Sequence, residues 1–174
     1  MFINDVVGPY IGVFIEWGFL MVFLLNWVLY INNPNKSIVI LSFIMAVSYI
    51  TSELLYLVYS IYLNWFIYDL LTLTCIGLLI RYQKISPSPV NCYIMCGLIL
   101  NAILIAAIYC DIYVRLNSEP WWLWSVYSFG VNICDVIMIT ALAINKDFLG
   151  LSKLLQKARI IKGLNKNQAL VSKT

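Results

Sequence analysis

With 174 residues, 63% of them hydrophobic and only 11% charged, the chain carries more apolar surface than a soluble domain of this size can bury. That composition excludes a soluble globular protein and predicts a single all-α integral membrane bundle, with no loop or tail long enough to form a second domain. The net charge of +3 gives no sign of nucleic acid as a partner, because the basic residues flank apolar segments instead of forming a basic domain. Histidine is absent, so imidazole catalysis and histidine-ligated metals are excluded. Cys75, Cys92, Cys96, Cys110 and Cys134 lie in or beside apolar segments without a C-x-x-C pair and read as small apolar side chains. Neither a metal nor a cofactor is expected.

Five apolar segments follow one another, at about 10–31, 38–63, 65–82, 92–113 and 121–145. The first is expected to be a membrane span and not a cleaved signal peptide, since no basic residue precedes it, it is long, and Glu16 interrupts it. Asn32-Asn33-Pro34-Asn35-Lys36 is a turn by composition, Asn64-Trp65 a tight return, and Ser86-Pro87-Ser88-Pro89 a breaker-rich loop. Trp121, Trp122 and Trp124 form an interfacial belt at the head of the fifth segment. Residues 146–174 form a basic tail in which Phe148, Leu151, Leu155, Ala158 and Ile161 recur at helical spacing. This predicts an amphipathic helix on the cytoplasmic leaflet, ended near Gly163, with anionic membrane lipids as partners.

Five crossings put the termini on opposite sides. Lys36, Arg81, Lys84 and every basic residue from Lys146 onward fall on the C-terminal side, and only Arg115 falls on the other. The positive-inside rule then predicts an outside N-terminus and a cytoplasmic C-terminus.

In the second segment Ser42, Ala46, Tyr49, Glu53, Tyr56 and Ser60 step by four and three, which sets them on one helix face. Trp121, Ser125, Ser128, Asn132 and Asp135 repeat that geometry in the fifth. Two such stripes facing each other predict a pocket open to the outer side, rimmed by Tyr49, Tyr56 and Trp121. On these boundaries Glu53 lies about ten residues from the outer face, Glu16 about eight and Asp69 about five, with Asp135 near the midplane. No lysine or arginine shares their depth. Low-dielectric surroundings and mutual repulsion disfavour the ionised form, so at least one of these acids is expected to carry its proton.

Ser52-Glu53-Leu54-Leu55-Tyr56 resembles the Trp-Glu-x-x-Tyr motif of the small membrane-bound terpene cyclases of fungal meroterpenoid and indole-diterpene pathways, with serine in place of tryptophan. Asn26-Trp27 and Lys36-Ser37 are similar to that family's approach to the motif. Asn132, Gly150-Leu151-Ser152 and the basic stretch to Gly163 resemble its fifth helix and following loop. The family usually has seven helices, and the likeness stops after the fifth. Asp69 or Asp135 would then stand in for its second acid. The resemblance implies that Glu53 protonates an epoxide or alkene of a hydrophobic prenylated molecule. Glu53, Asp69 and Asp135 are thus the catalytic candidates, with Tyr49, Tyr56, Trp121 and Asn132 binding substrate and the aromatic rings guiding a carbocation.

A second likeness is carried by Val131-Asn132-Ile133-Cys134-Asp135, which is similar to the Phe-Asn-x-Ala-Asp motif of lipoprotein signal peptidases. That family's other aspartate has no counterpart beside Asn101. Two further function classes remain open on the sequence. A small proton-coupled transporter component would use the acids as a relay, with a homo-oligomer compensating for few helices. A membrane interaction, assembly or immunity protein would use the polar stripes for helix–helix contacts.

Overall fold

A computed structural model describes residues 8–86, 88–117, 119–147 and 149–151. Long apolar runs between breaker-rich turns give five helices: α1 (Gly8–Leu29), α2 (Ser37–Leu54), α3 (Ile61–Arg81), α4 (Pro89–Tyr109) and α5 (Trp122–Ile144). All five are long and apolar enough to cross a membrane, and no strand occurs among the described residues. The protein is therefore an all-helical, multi-pass membrane protein. Pro89 opens α4 at a position where its fixed φ suits the first helical turn and its missing N–H is not needed. Asn145 closes α5 in the left-handed region at φ 53°. The amphipathic helix expected in the tail lies outside the described residues.

Each helix packs on its neighbour in sequence, and α5 returns to α1, so the five close into a ring. That last contact is tied by Asn26, buried in α1, whose amide donates to the Leu142 carbonyl at 3.2 Å. A second tie joins the Asn145 amide to the Tyr30 hydroxyl at 2.7 Å. Large apolar side chains such as Phe14, Trp17, Leu71, Phe129 and Ile133 face outward, as a bilayer requires.

The ring is solid at one end and hollow at the other. Phe19, Phe23, Leu41, Met45, Ile76, Ile94, Leu98, Met138 and Leu142 fill its centre at the end that holds the α1–α2 and α3–α4 turns. Glycine makes the close approach possible there. A Cβ on Gly97 would lie 2.5 Å from the Met138 sulfur, and one on Gly18 would lie 2.8 Å from Ile139. Toward the opposite end the packing gives way to the cavity described below.

Two boundaries differ from the sequence expectation, and both matter for the site. Helix α2 stops at Leu54 instead of running to 63, and α3 starts at Ile61, four positions before Trp65. The cause is Asn64, fully buried in the first turn of α3. Its amide donates to the carbonyls of Ser52 at 2.9 Å and Leu55 at 3.5 Å, and its oxygen accepts the Leu57 N–H at 2.8 Å. The Tyr68 hydroxyl adds a 3.2 Å bond to the Leu55 carbonyl. Backbone groups freed at the helix end are thereby satisfied without water, so apolar sequence alone does not carry the helix on. Asn64 and Trp65 are thus helical residues, and 55–60 make the turn. At the other predicted boundary, α4 continues through a π-helical turn, Cys110–Val114, in which Asp111 is buried.

Candidate functional site

The hollow half encloses a cavity of about 620 Å³, walled by all five helices. Its wall begins at helix ends, with Gly8 of α1, Ile61 of α3, Ile108 of α4 and Trp124 of α5, and reaches inward to Asn101 and Asp135. Trp124 and Asp135 are eleven positions apart on α5, or about 16 Å along the axis.

Four acids line this space: Glu16 from α1, Glu53 from α2, Asp69 from α3 and Asp135 from α5. None of the described residues lining it is basic. Asp135 is buried, and both of its bonds go to one oxygen. The Tyr49 hydroxyl donates to Oδ1 at 2.5 Å and the Asn101 amide at 2.7 Å. Oδ2 has no hydrogen-bond partner among the described residues. Tyr49 is held in turn by its ring, which packs on Phe19 at 4.2 Å between centroids. Asp69 makes no hydrogen bond to a described residue and lines the same cavity as Asp135. Glu53 instead accepts the Trp65 indole N–H at 2.9 Å.

The revised helix boundaries exchange the depths of two acids. Glu53 is the penultimate residue of α2, not a mid-helix one, and Asp69 lies eight positions into α3, near its centre. The deep pair is therefore Asp69 and Asp135, and Glu53 belongs to the outer end of the cavity.

Of the residues singled out in the sequence, Tyr49, Glu53, Asp69, Asn132 and Asp135 meet in this cavity. Tyr56 does not: it follows the end of α2, is 56% exposed and has left the stripe. Trp121 does not either, because α5 begins at Trp122 and Trp121 is its cap. The Trp121 indole donates to Asp111 Oδ2 at 2.7 Å, and Trp124 and Asn117 donate to the same oxygen at 3.1 Å each. Asp111 thus fastens the α4–α5 connection.

Sequence reasoning missed the aromatic wall made by Tyr62, Trp65, Tyr68, Trp124 and Tyr127. The signal was present, since Tyr62, Trp65, Asp69 and Thr72 step by three, four and three along α3. Placing the turn at Asn64-Trp65 hid it. Gly12, with open space where a Cβ would be, and Glu16 complete the wall from α1.

No cluster of three or more His, Cys, Asp or Glu side chains able to hold a metal ion occurs among the described residues. What the wall offers is carboxyl groups, phenol and indole rings, and Ile15, Ile105, Ile108 and Val131 as apolar surface. Such a lining suits an apolar molecule that is, or becomes, positively charged. Compared with family models, with curated proteins and with solved structures, the chain finds no match in any of the three.

Proposed function

We propose that this is a membrane-embedded enzyme of the terpene-cyclase kind, in which a deep carboxylic acid protonates a prenylated substrate. The observation that carries the reading is Asp135. It sits at the inner end of an apolar and aromatic cavity, oriented by Tyr49 and Asn101 through one oxygen, with no basic side chain in the described wall. In the proposed step the Asp135 proton passes to an epoxide oxygen, the C–O bond opens, and a tertiary carbocation forms. A neighbouring alkene of the same substrate supplies the electron pair for the new C–C bond. Loss of a proton from an adjacent carbon to Asp69 then leaves a neutral product, an isomer of the substrate. Tyr49, Tyr62, Trp65, Trp124 and Tyr127 stabilise the passing cation with their ring faces. Glu53, in the last turn of α2 and already accepting from Trp65, is better suited to the outer end than to the first proton transfer.

Transport is the weaker reading, because Phe19, Leu41, Met45, Ile94 and Met138 pack the half of the ring below the cavity with apolar side chains. The orientation proposed is N-terminus outside and C-terminus cytoplasmic, from the odd number of spans and the basic residues gathered at one side. Reporters fused after Thr174 should therefore read as cytoplasmic, and those inserted beside Asn117 as outside.

The test of the activity is product formation from prenylated epoxides in membranes carrying the full chain. Asp135→Asn should insert normally and lose about 10²-fold or more in turnover, the range expected for a general acid. Glu53→Gln should lose less. Undiminished turnover by Asp135→Asn removes it as the acid, and no cyclised product from the unaltered chain refutes the enzyme reading.

A further inference from the structure

We infer that the inner end of the cavity receives the head group of a lipophilic amine, a protonated primary or secondary nitrogen on an apolar tail. This rests on the reading of the cavity as a ligand site and names a ligand class for it.

Three residues that line the cavity, Asn101, Asp135 and Asp69, each carry an acceptor without a hydrogen-bond donor among the described residues. The first is Asn101 Oδ1, a buried atom without a hydrogen-bond partner on a side chain only 2% exposed. The same side chain's Nδ2 is committed to Asp135, which fixes the amide the way round that leaves its oxygen unused. The second is Asp135 Oδ2 in the ionised carboxyl, since both donors to that group go to Oδ1. The third is the Asp69 carboxyl, which has no hydrogen bond to a described residue. A buried acceptor left unpaired, as at Asn101 Oδ1, is unfavourable, and carboxylates in a cavity whose described wall has no basic side chain call for positive charge. An ammonium group supplies both, with two or three N–H donors and one charge.

Neutral or fully alkylated head groups fit less well. An alcohol brings one donor and no charge. A quaternary ammonium brings charge but no N–H, and leaves Asn101 Oδ1 unsatisfied. The rest of the molecule would lie toward the outer end, along Ile105, Ile108 and the rings of Trp65 and Tyr127, for up to about 16 Å. The packed half below blocks a deeper position.

The experiment uses the full chain in phosphatidylcholine nanodiscs, with empty nanodiscs subtracted and, as the readout, the saturable change in tryptophan fluorescence, to which Trp65 and Trp124 of the cavity wall contribute. Three probes share one ten-carbon tail: geranylamine, geraniol and geranyltrimethylammonium. Geranylamine should bind saturably and at least tenfold more tightly than either of the others. Asn101→Leu should weaken geranylamine at least tenfold more than it weakens geranyltrimethylammonium, which feels only the loss of the bond to Asp135, and Asp135→Asn should weaken both cations. Equal affinity for the three probes overturns the inference, and so does unaltered geranylamine binding by Asn101→Leu. If that variant fails to insert, the comparison of probes on the unaltered chain decides alone. Cyclisation of a neutral prenylated epoxide by a chain that does not prefer the amine removes this inference and leaves the proposed activity standing. Amine-selective binding without turnover does the reverse.

Discussion

Tyr49 of α2 and Asp135 of α5 are joined by a 2.5 Å hydrogen bond from the phenol to Oδ1, although 86 positions separate them in the chain. The two helices are not ring neighbours, so this bond reaches across the hollow half and holds its width. Tyr49→Phe keeps the ring contact with Phe19 and removes only this tie. A double-mutant cycle of Tyr49→Phe with Asp135→Asn, followed by unfolding in detergent, should give a coupling of about 0.5–3 kcal/mol. Simple additivity would mean that the two side chains do not act as a unit.

Asn64 is expected to be the most sensitive polar residue of the α2–α3 turn. Asn64→Leu has similar bulk but strands the Ser52 carbonyl and the Leu57 N–H in apolar surroundings. The loss should be about 1–3 kcal/mol for each group left unsatisfied. Thermal unfolding of the purified protein measures it, and a variant as stable as the unaltered chain would contradict the role assigned to this cap.

Asp111 holds two indoles and the Asn117 amide on one oxygen. Replacing it by alanine should release Trp121 and Trp124, shift the tryptophan emission to the red and destabilise the outer end of α4. Asp111→Asn keeps an acceptor oxygen but loses the charge that strengthens all three bonds, so its effect should be intermediate. Emission unchanged in both variants would show that the indoles are held by other contacts.

Gly97 sets the distance between α4 and α5. Gly97→Ala drives a methyl group into the side chain of Met138, which is fully buried. A loss of about 1–3 kcal/mol is expected, the usual range for overpacking. Adding Met138→Ala should restore part of it, whereas Met138→Ala alone should be destabilising. The sign of that rescue, read from melting temperatures, checks whether the two residues meet as described.

The five crossings were legible in the sequence because a bilayer demands about twenty apolar residues for each span, and turn-forming residues mark three of the four junctions between runs. The α5 stripe from Ser128 to Asp135 was legible for the same reason as any amphipathic face, its step of three and four. The α2–α3 boundary was not. Tyr56, Leu57, Val58 and Tyr59 are as apolar as the helix before them, and only the three-dimensional position of Asn64 makes it worthwhile for the chain to leave the helix at Leu54. From that one displacement follow the loss of Tyr56 from the site, the inward move of Asp69 and the outward move of Glu53. The turn of Trp121 toward Asp111 was not legible, because a tryptophan at a helix head can face a cavity or turn back to an acid, and Asp111 sits ten positions earlier, where periodicity says nothing.

The contact that closes the ring joins the first helix to the last, with Asn26 bonded to a carbonyl 116 positions downstream. Helices enter a membrane in the order in which they are synthesised, so α1 must wait in the bilayer until the ribosome has delivered α5. During that interval Asn26 has no Leu142 to bond, and the acids of α1, α2 and α3 have no wall opposite them. The half-made protein is thus an open crescent with its polar side bare to lipid.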